Sequence, residues 1–189
     1  MLRKLANPVL FQGSLRARSY FEGWYFKHVS ADSASVCALI PGVSLSPRGS
    51  KSFVQFIDGA TGATRWFQYP LDAFQASRDR FEIRVADSTF SLEGVHARLE
   101  DALGAIEADV RYDGVTPLPF SVGRPGIMGP YTYAPLMECN HGIGSLDHGV
   151  AGWFSVDGRR TDFSGGRGYL EKDWGRSFPR AWIWAQSNS

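Results

Sequence analysis

Residues 80–112 read RFEIRVADSTFSLEGVHARLEDALGAIEADVRY, and this stretch decides the fold class. Apolar and polar residues alternate along it with a period of two, which is the pattern of strands that bury one face. The alternation predicts strands over 80–85, 89–99 and 105–112, and Asp113-Gly114 is typical of the turn that follows. We therefore expect an all-β protein with antiparallel strands.

The same pattern extends to both sides of this stretch. It predicts strands over 19–29, 36–43, 52–58, 149–156, 168–171 and 180–186. Turn signals end three of them, at Pro41-Gly42, Asp58-Gly59 and Asp157-Gly158. Residues 114–136 hold five prolines, which predicts a long ordered loop of the kind that is usually functional. Closely spaced strands predict a sandwich or barrel, and we expect one domain over 1–189.

The composition excludes several classes of protein. The chain has 189 residues, 21% of them charged, and a net charge of +1, so nothing in its charge favours binding to nucleic acid. The N-terminus lacks the apolar stretch of a secretory signal, and no run approaches the length of a membrane span. Cys37 and Cys139 have no metal-like spacing and are interpreted as reduced thiols. We expect a cytoplasmic protein.

The stretch most informative about function is 168–188, GYLEKDWGRSFPRAWIWAQSN. On a strand, Glu171 and Asp173 share one face roughly 7 Å apart, and Lys172 points to the other face. Two carboxylates so close raise the pKa of one of them, which can then donate a proton. The alternative is a pair of surface acids in salt bridges with Lys172 and Arg176.

Three blocks of the sequence together resemble the tocopherol cyclase-like family. The first is Asn7-Pro8-x-x-Phe11-Gln12-Gly13 followed by residues 20–27, YFEGWYFK. The second is residues 137–143, MECNHGI, with His148 and Gly152 after it, and the third is the 168–188 stretch. The resemblance implies a lipocalin-like β-barrel, and the family's chains continue beyond the third block. This chain would then correspond to the N-terminal part of a longer family chain.

The family's reaction implies an acid, an apolar pocket and no cofactor or metal. An intramolecular lyase of this type protonates an alkene of a prenylated quinol, and the phenol oxygen captures the cation to give a chromanol. The catalytic candidates are Glu171, Asp173, His141 and Glu22, with Lys27 and Arg176 as expected partners of Glu22. The substrate-binding candidates are Trp24, Tyr25, Glu138, Asn140, His148, Tyr169, Trp174, Trp182, Trp184, Gln186 and Asn188.

Other interpretations of these residues stay open. Each tryptophan taken singly fits a plain core position, and the polar residues around His141 fit a structural hydrogen-bond network. A metal site of Glu138, His141, Asp147 and His148 has a spacing that matches no known ligand pattern. The expected partner is a hydrophobic small molecule, with no nucleic acid and with peripheral membrane contact for substrate uptake. The alternatives to a cyclase are a carrier for an apolar isoprenoid or lipid, and an isoprenoid hydratase.

Overall fold

Antiparallel strands make up just over half of the computed structural model, which describes residues 2–134, 137–178, 180, 181, 183 and 185. A short helix, α1 (Leu2–Ala6), precedes the strands, and 3₁₀ turns lie at Leu71–Ala73 and Gly129–Tyr133. No helix of the described residues is long and apolar enough to cross a membrane. The strands of this part of the chain are β1 (Tyr20–Val29), β2 (Val36–Leu45), β3 (Lys51–Asp58), β4 (Thr64–Pro70), β5 (Phe74–Ala76), β6 (Glu82–Val85), β7 (Ser88–Ser91), β8 (Gly94–Asp101), β9 (Gly104–Asp113), β10 (Cys139–Val156), β11 (Arg159–Asp162) and β12 (Gly166–Gly175).

These strands form one sheet in the order β4-β3-β2-β1-β12-β10-β9-β8-β7-β6-β5, with β11 paired to β10. The sheet does not close, but it bends back so that β2 and β3 contact β6, and β4 contacts β8. The core fills the space between the two halves. There the ring of Trp24 stacks on Phe74 and Phe81, and Phe26 also stacks on Phe81. The predicted all-β, antiparallel fold class is confirmed.

The segment before β1 packs on this core instead of extending away from it. Val9 and Leu10 belong to the buried cluster, and the Val9 carbonyl accepts a hydrogen bond from the Trp24 indole at 2.7 Å. The side-chain amide of Gln12 lies close to the carbonyls of Asn7 and Leu10 and donates to them. The segment therefore has a fixed path across the inner face of β1.

Two predicted strands have different bounds in the structure. The strand expected to end at Pro41-Gly42 continues as β2 to Leu45. Pro41 has no N–H to give to the β1–β2 ladder, and ladder pairs are absent only locally, between Gly23↔Gly42 and Phe26↔Leu39. The strand expected over 89–99 is two strands, β7 and β8, which form an antiparallel pair around Gly94 at φ 152°.

The predictions near the C-terminus also need correction. The strand predicted over 149–156 is the second half of β10, which begins at Cys139 and has bulges between Ile143 and His148. Glycines and polar residues interrupt the apolar alternation there, and so the pattern hides the strand. A last strand was predicted over 180–186, but the described residues of that range lie in no strand. Strands β4, β5 and β11 have no counterpart among the predictions.

Candidate functional site

Three neighbouring strands bring the predicted acids together on one face of the sheet. We call it the outer face, because it points away from the hydrophobic core. In the β1–β12 pair, Tyr25 lies opposite Glu171, and Gly23 lies opposite Asp173. In the β10–β12 pair, His141 lies opposite Asp173. The strand alternation that predicted a shared face for the two carboxylates therefore also places them beside the imidazole of His141 on the next strand.

His141 connects the two carboxylates into a single group, which we call the acid cluster (His141, Tyr169, Glu171 and Asp173). The Nδ1 atom of His141 lies 2.8 Å from Oδ1 of Asp173, and its Nε2 atom lies 3.5 Å from Oε2 of Glu171. The hydroxyl of Tyr169 donates to the same Glu171 oxygen at 2.7 Å. Glu171 is buried, whereas Asp173 and His141 are half-buried, so the cluster runs from the protein interior towards solvent.

The electrostatics of the acid cluster favour a protonated imidazole. Burial alone lowers the pKa of His141, but the hydrogen bond and charge of Asp173, together with the charge of Glu171, raise it above its usual value. Burial and the neighbouring Glu171 carboxylate also raise the pKa values of Tyr169 and Tyr25, so both phenols stay protonated. The cluster therefore holds an exchangeable proton between two carboxylates near neutral pH.

An apolar hollow of about 230 Å³ lies beside these groups on the outer face. Two stacked ring pairs contribute to its walls, Phe53 with Trp66 at 4.3 Å between ring centres and Phe21 with Phe178 at 4.4 Å. We call it the outer-face hollow, and its lining residues are Phe21, Gly23, Tyr25, Ile40, Phe53, Gln55, Trp66, Glu171, Asp173 and Phe178. Aromatic rings and carboxylates thus face the same space.

Glu22, the fourth catalytic candidate, lies on the opposite face of the sheet. It pairs with Lys172 at 2.6 Å, and the side chains of both residues are completely buried. The expected partners were Lys27 and Arg176, and the structure replaces them with Lys172. The Glu22 carboxylate also accepts from the backbone N–H groups of residues 12 and 13, so it anchors the N-terminal segment.

The substrate-binding candidates are divided between several places. Tyr25 lines the outer-face hollow, but Trp24, one residue earlier, points into the core. Trp174 and Asn140 border a second, smaller hollow of about 100 Å³ beneath the proline-rich loop. Glu138 is exposed, and its carbonyl accepts from the N–H groups of residues 176 and 177.

His148 belongs to a different group, in which both histidines are buried. Its Nδ1 atom lies 3.0 Å from the Ser145 hydroxyl, and its ring packs on Tyr112 at 4.3 Å between ring centres. Tyr112 is in turn hydrogen bonded to His28 at 2.6 Å. His148 is therefore not brought to the acid cluster by the fold. The candidates Trp182, Trp184, Gln186 and Asn188 lie outside the described residues.

Sequence reasoning missed four aromatic residues of the hollow, Phe21, Phe53, Trp66 and Phe178. For Phe21 the signal was present, since Phe21, Gly23 and Tyr25 occupy alternate positions of one strand. Trp66 lies on β4, a strand that was not predicted, so its position could not be inferred. Within the described part of the chain, no group of three or more His, Cys, Asp or Glu side chains could hold a metal ion.

Part of the chain is similar in sequence to known proteins. Residues 126–189, which contain all four residues of the acid cluster, match the sequence model of the family described as tocopherol cyclase-like. A segment of 37 residues is 49% identical to the chloroplastic tocopherol cyclase of Zea mays and to a probable tocopherol cyclase of Oryza sativa subsp. japonica. The C-terminal third of the chain is thus similar to the tocopherol cyclase-like family. The matched segment spans 20% of this chain and 8% of the length of each relative.

Solved structures show the same fold at low sequence identity. CghA, crystallised with Sch210972, superposes with a TM-score of 0.51 and 10% identity over 84% of this chain and 46% of CghA. A protein described as AttH from Nitrosomonas europaea gives a TM-score of 0.52 and 14% identity over 88% of this chain and 54% of its own. At such identities the similarity shows the lipocalin-like fold alone.

Proposed function

We propose that this tocopherol cyclase-like protein closes a ring on a prenylated quinol without a cofactor, at the outer-face hollow. The observation that carries the proposal is the acid cluster beside an aromatic-lined space. A carboxylate–imidazole–carboxylate group supplies the proton, and the rings bind the apolar substrate. The family relatives named above are tocopherol cyclases, which supports a substrate of this class.

The proposed reaction is an isomerisation in which every atom of the substrate is kept. The acid cluster gives a proton to one alkene carbon, and the electron pair of the double bond forms the new C–H bond. The phenol oxygen then forms a C–O bond to the resulting tertiary cation, and the phenolic proton returns to the cluster. No oxidant or reductant is consumed.

The roles of the individual residues follow from their positions. Glu171 is the buried member of the cluster and lies beside Tyr25, so we assign it the proton transfer to the alkene. His141 and Asp173 pass protons between Glu171 and solvent, because they connect the buried end of the cluster to its half-buried end. Tyr169 orients the carboxylate of Glu171 through its hydrogen bond.

The hollow's aromatic walls suit a cationic intermediate. The faces of Trp, Tyr and Phe rings attract cations, and the effect grows when water is excluded. Tyr25 and the stacked Phe53–Trp66 pair supply such faces beside the acid cluster.

The test is to incubate the purified protein with a phytyl-benzoquinol and to separate the products by mass-resolved chromatography. We expect a chromanol of unchanged mass and altered retention. Glu171→Gln should lower kcat/KM at least about 100-fold, since general acid catalysis contributes factors of this size. Asp173→Asn should lower it through the loss of the His141 partner.

Glu107→Gln is the matched control, because it neutralises an exposed carboxylate on β9, away from the hollow. It should keep wild-type activity, and circular dichroism should show the same fold for all variants. Full activity in both Glu171→Gln and Asp173→Asn would remove the assignment of the acid. A new tertiary alcohol in place of a ring oxygen would identify a hydratase.

A carrier for an apolar isoprenoid or lipid is the second candidate, and the apolar, aromatic lining of the hollow favours it. A carrier would bind the quinol and return it unchanged in the same assay. Cytoplasmic location and the hydrophobic small-molecule partner stay predictions under either function.

A further inference from the structure

We propose that the proline-rich loop between β9 and β10 inserts its apolar side chains into the surface of a lipid bilayer. The inference concerns residues 115–134 and does not rest on the proposed reaction. It rests on the exposure of apolar residues on an ordered loop, on the charge of that loop, and on the hollow beneath it.

The loop exposes large apolar side chains at a density unusual for a surface loop. Val122 is 79% exposed, Tyr131 66% and Ile127 54%, and all three lie within ten residues. Single exposed apolar residues are ordinary on protein surfaces, but a group of them marks an interaction site. Tyrosine is also one of the residues enriched where a bilayer meets water.

The loop is built to hold these side chains outward. Ser121 and Arg124 exchange two backbone hydrogen bonds of 3.0 Å, which places Val122 at the tip of a tight turn. The Tyr133 hydroxyl donates to the Val122 carbonyl at 2.9 Å, and the Thr132 hydroxyl donates to the Pro125 carbonyl at 2.8 Å. These bonds fix the exposed residues in one arrangement before any contact is made.

The near absence of charged residues in the loop favours a lipid surface over an acidic or basic protein partner. From residue 114 to residue 137 the sequence contains no Asp or Glu, and Arg124 is the single basic residue. A segment without carboxylates meets neither repulsion from anionic lipid headgroups nor the cost of carrying an acid into the interface. One arginine at the tip can stay in the headgroup layer while its neighbours enter the acyl region.

The opposite side of the loop faces the protein. Pro125 is buried, and Leu118 and Phe120 line the 100 Å³ hollow that His141 and Trp174 also border. The loop therefore has two sides. Its apolar tip faces solvent, and its other side lies against the hollow that His141 borders. Contact with a bilayer at this tip would place the cluster close to the lipid phase in which apolar molecules dissolve.

The experiment is co-sedimentation of the full chain with phosphatidylcholine vesicles, at low and at high salt. We expect the wild-type protein to sediment with the vesicles at both salt concentrations. The double variant Val122→Asp/Tyr131→Asp should bind at least about tenfold more weakly, because two exposed side chains no longer enter the bilayer surface. Thermal unfolding should be unchanged, since both positions are exposed.

Leu103→Asp is the matched control, because Leu103 is also 79% exposed but lies on the distant β8–β9 turn. It should sediment like the wild-type protein. The proposal fails if the wild-type chain stays in the supernatant, if the loop variant binds as well as wild type, or if Leu103→Asp is equally defective. Self-association that the loop variant abolishes, without vesicle binding, would assign the loop to a protein contact and overturn the proposal.

Discussion

The pair of Glu22 and Lys172 is a residue-scale feature with a large expected effect on stability. Burial lowers the pKa of Lys172 to about 8, although Glu22 opposes this change. Its ammonium group also donates to the Leu10 carbonyl at 2.7 Å and lies over the ring of Trp174. Lys172→Met should lower the free energy of unfolding by about 3–5 kcal/mol, because it leaves a buried carboxylate without its cation. Guanidinium unfolding measures this.

The double variant Glu22→Gln/Lys172→Met is the control for that prediction. Because it removes both charges, it should be more stable than the sum of the two single changes implies, with a coupling energy of about 1–3 kcal/mol. Additive single effects, or a Lys172→Met variant with the wild-type midpoint, would show that the pair is not what anchors the N-terminal segment.

The alternation of side chains along a strand correctly predicted that Lys172 and Glu171 point to opposite faces of the sheet. It did not identify Glu22 as the partner of Lys172, because the two positions are 150 residues apart in the sequence. Their register across β1 and β12 exists only in the folded sheet. Local patterns therefore predict which face a side chain occupies but not what it meets there.

At the scale of elements, Arg65 joins an edge strand to the other half of the sheet. Its guanidinium on β4 binds Asp101 at 2.6 Å, Asp157 at 2.7 Å and the Gly104 carbonyl at 2.8 Å. Arg65→Met should therefore speed hydrogen exchange of the β4 amides, while the amides of β12 keep their protection. Arg80→Met is the matched control, because Arg80 makes an exposed pair within its own segment. Equal β4 protection in Arg65→Met and wild type would contradict the prediction.

The elements themselves were predictable where the alternation was unbroken, as in β1, β3, β6 and β9. The prediction failed at Pro41-Gly42, where a strand passes through residues that usually end one, and at Gly94, where the period of two continues across a turn. In both places the sheet's pairing decides the outcome. Pro41 is tolerated because β3 still pairs with β2 at that position. The turn at Gly94 forms because β8 pairs with β9.

At the scale of the whole molecule, the two faces of the sheet carry different groups of side chains. The inner face holds the core, the Glu22–Lys172 pair and the buried histidines, and the outer face holds the acid cluster and the hollow. The sequence blocks that resemble the family contribute to both faces, because successive residues of one strand alternate between them. The resemblance alone therefore could not separate structural acids from candidate catalytic acids, and Glu22 was grouped with Glu171.

The buried histidines make the stability of the whole molecule depend on pH. Burial, helped by the neighbouring His148, lowers the pKa of His28 to about 3, and burial lowers that of His148 to about 4. An unfolded histidine titrates near 6.5, so the unfolded chain binds more protons below that pH, and stability falls as the pH drops from 6.5 towards 4. For His28 alone the loss between pH 7 and pH 5 is about 2 kcal/mol.

Urea unfolding at a series of pH values tests this dependence. His28→Gln should flatten the fall in unfolding free energy below pH 6.5, whatever its stability at pH 7, because the titrating group is gone. His96→Gln removes an imidazole whose side chain is 47% exposed and is the matched control. An unchanged slope in His28→Gln would mean that the imidazole of His28 takes up its proton inside the folded protein as readily as in the unfolded chain. The polar end of the core would then be open to water rather than sealed by Tyr112 and its neighbours.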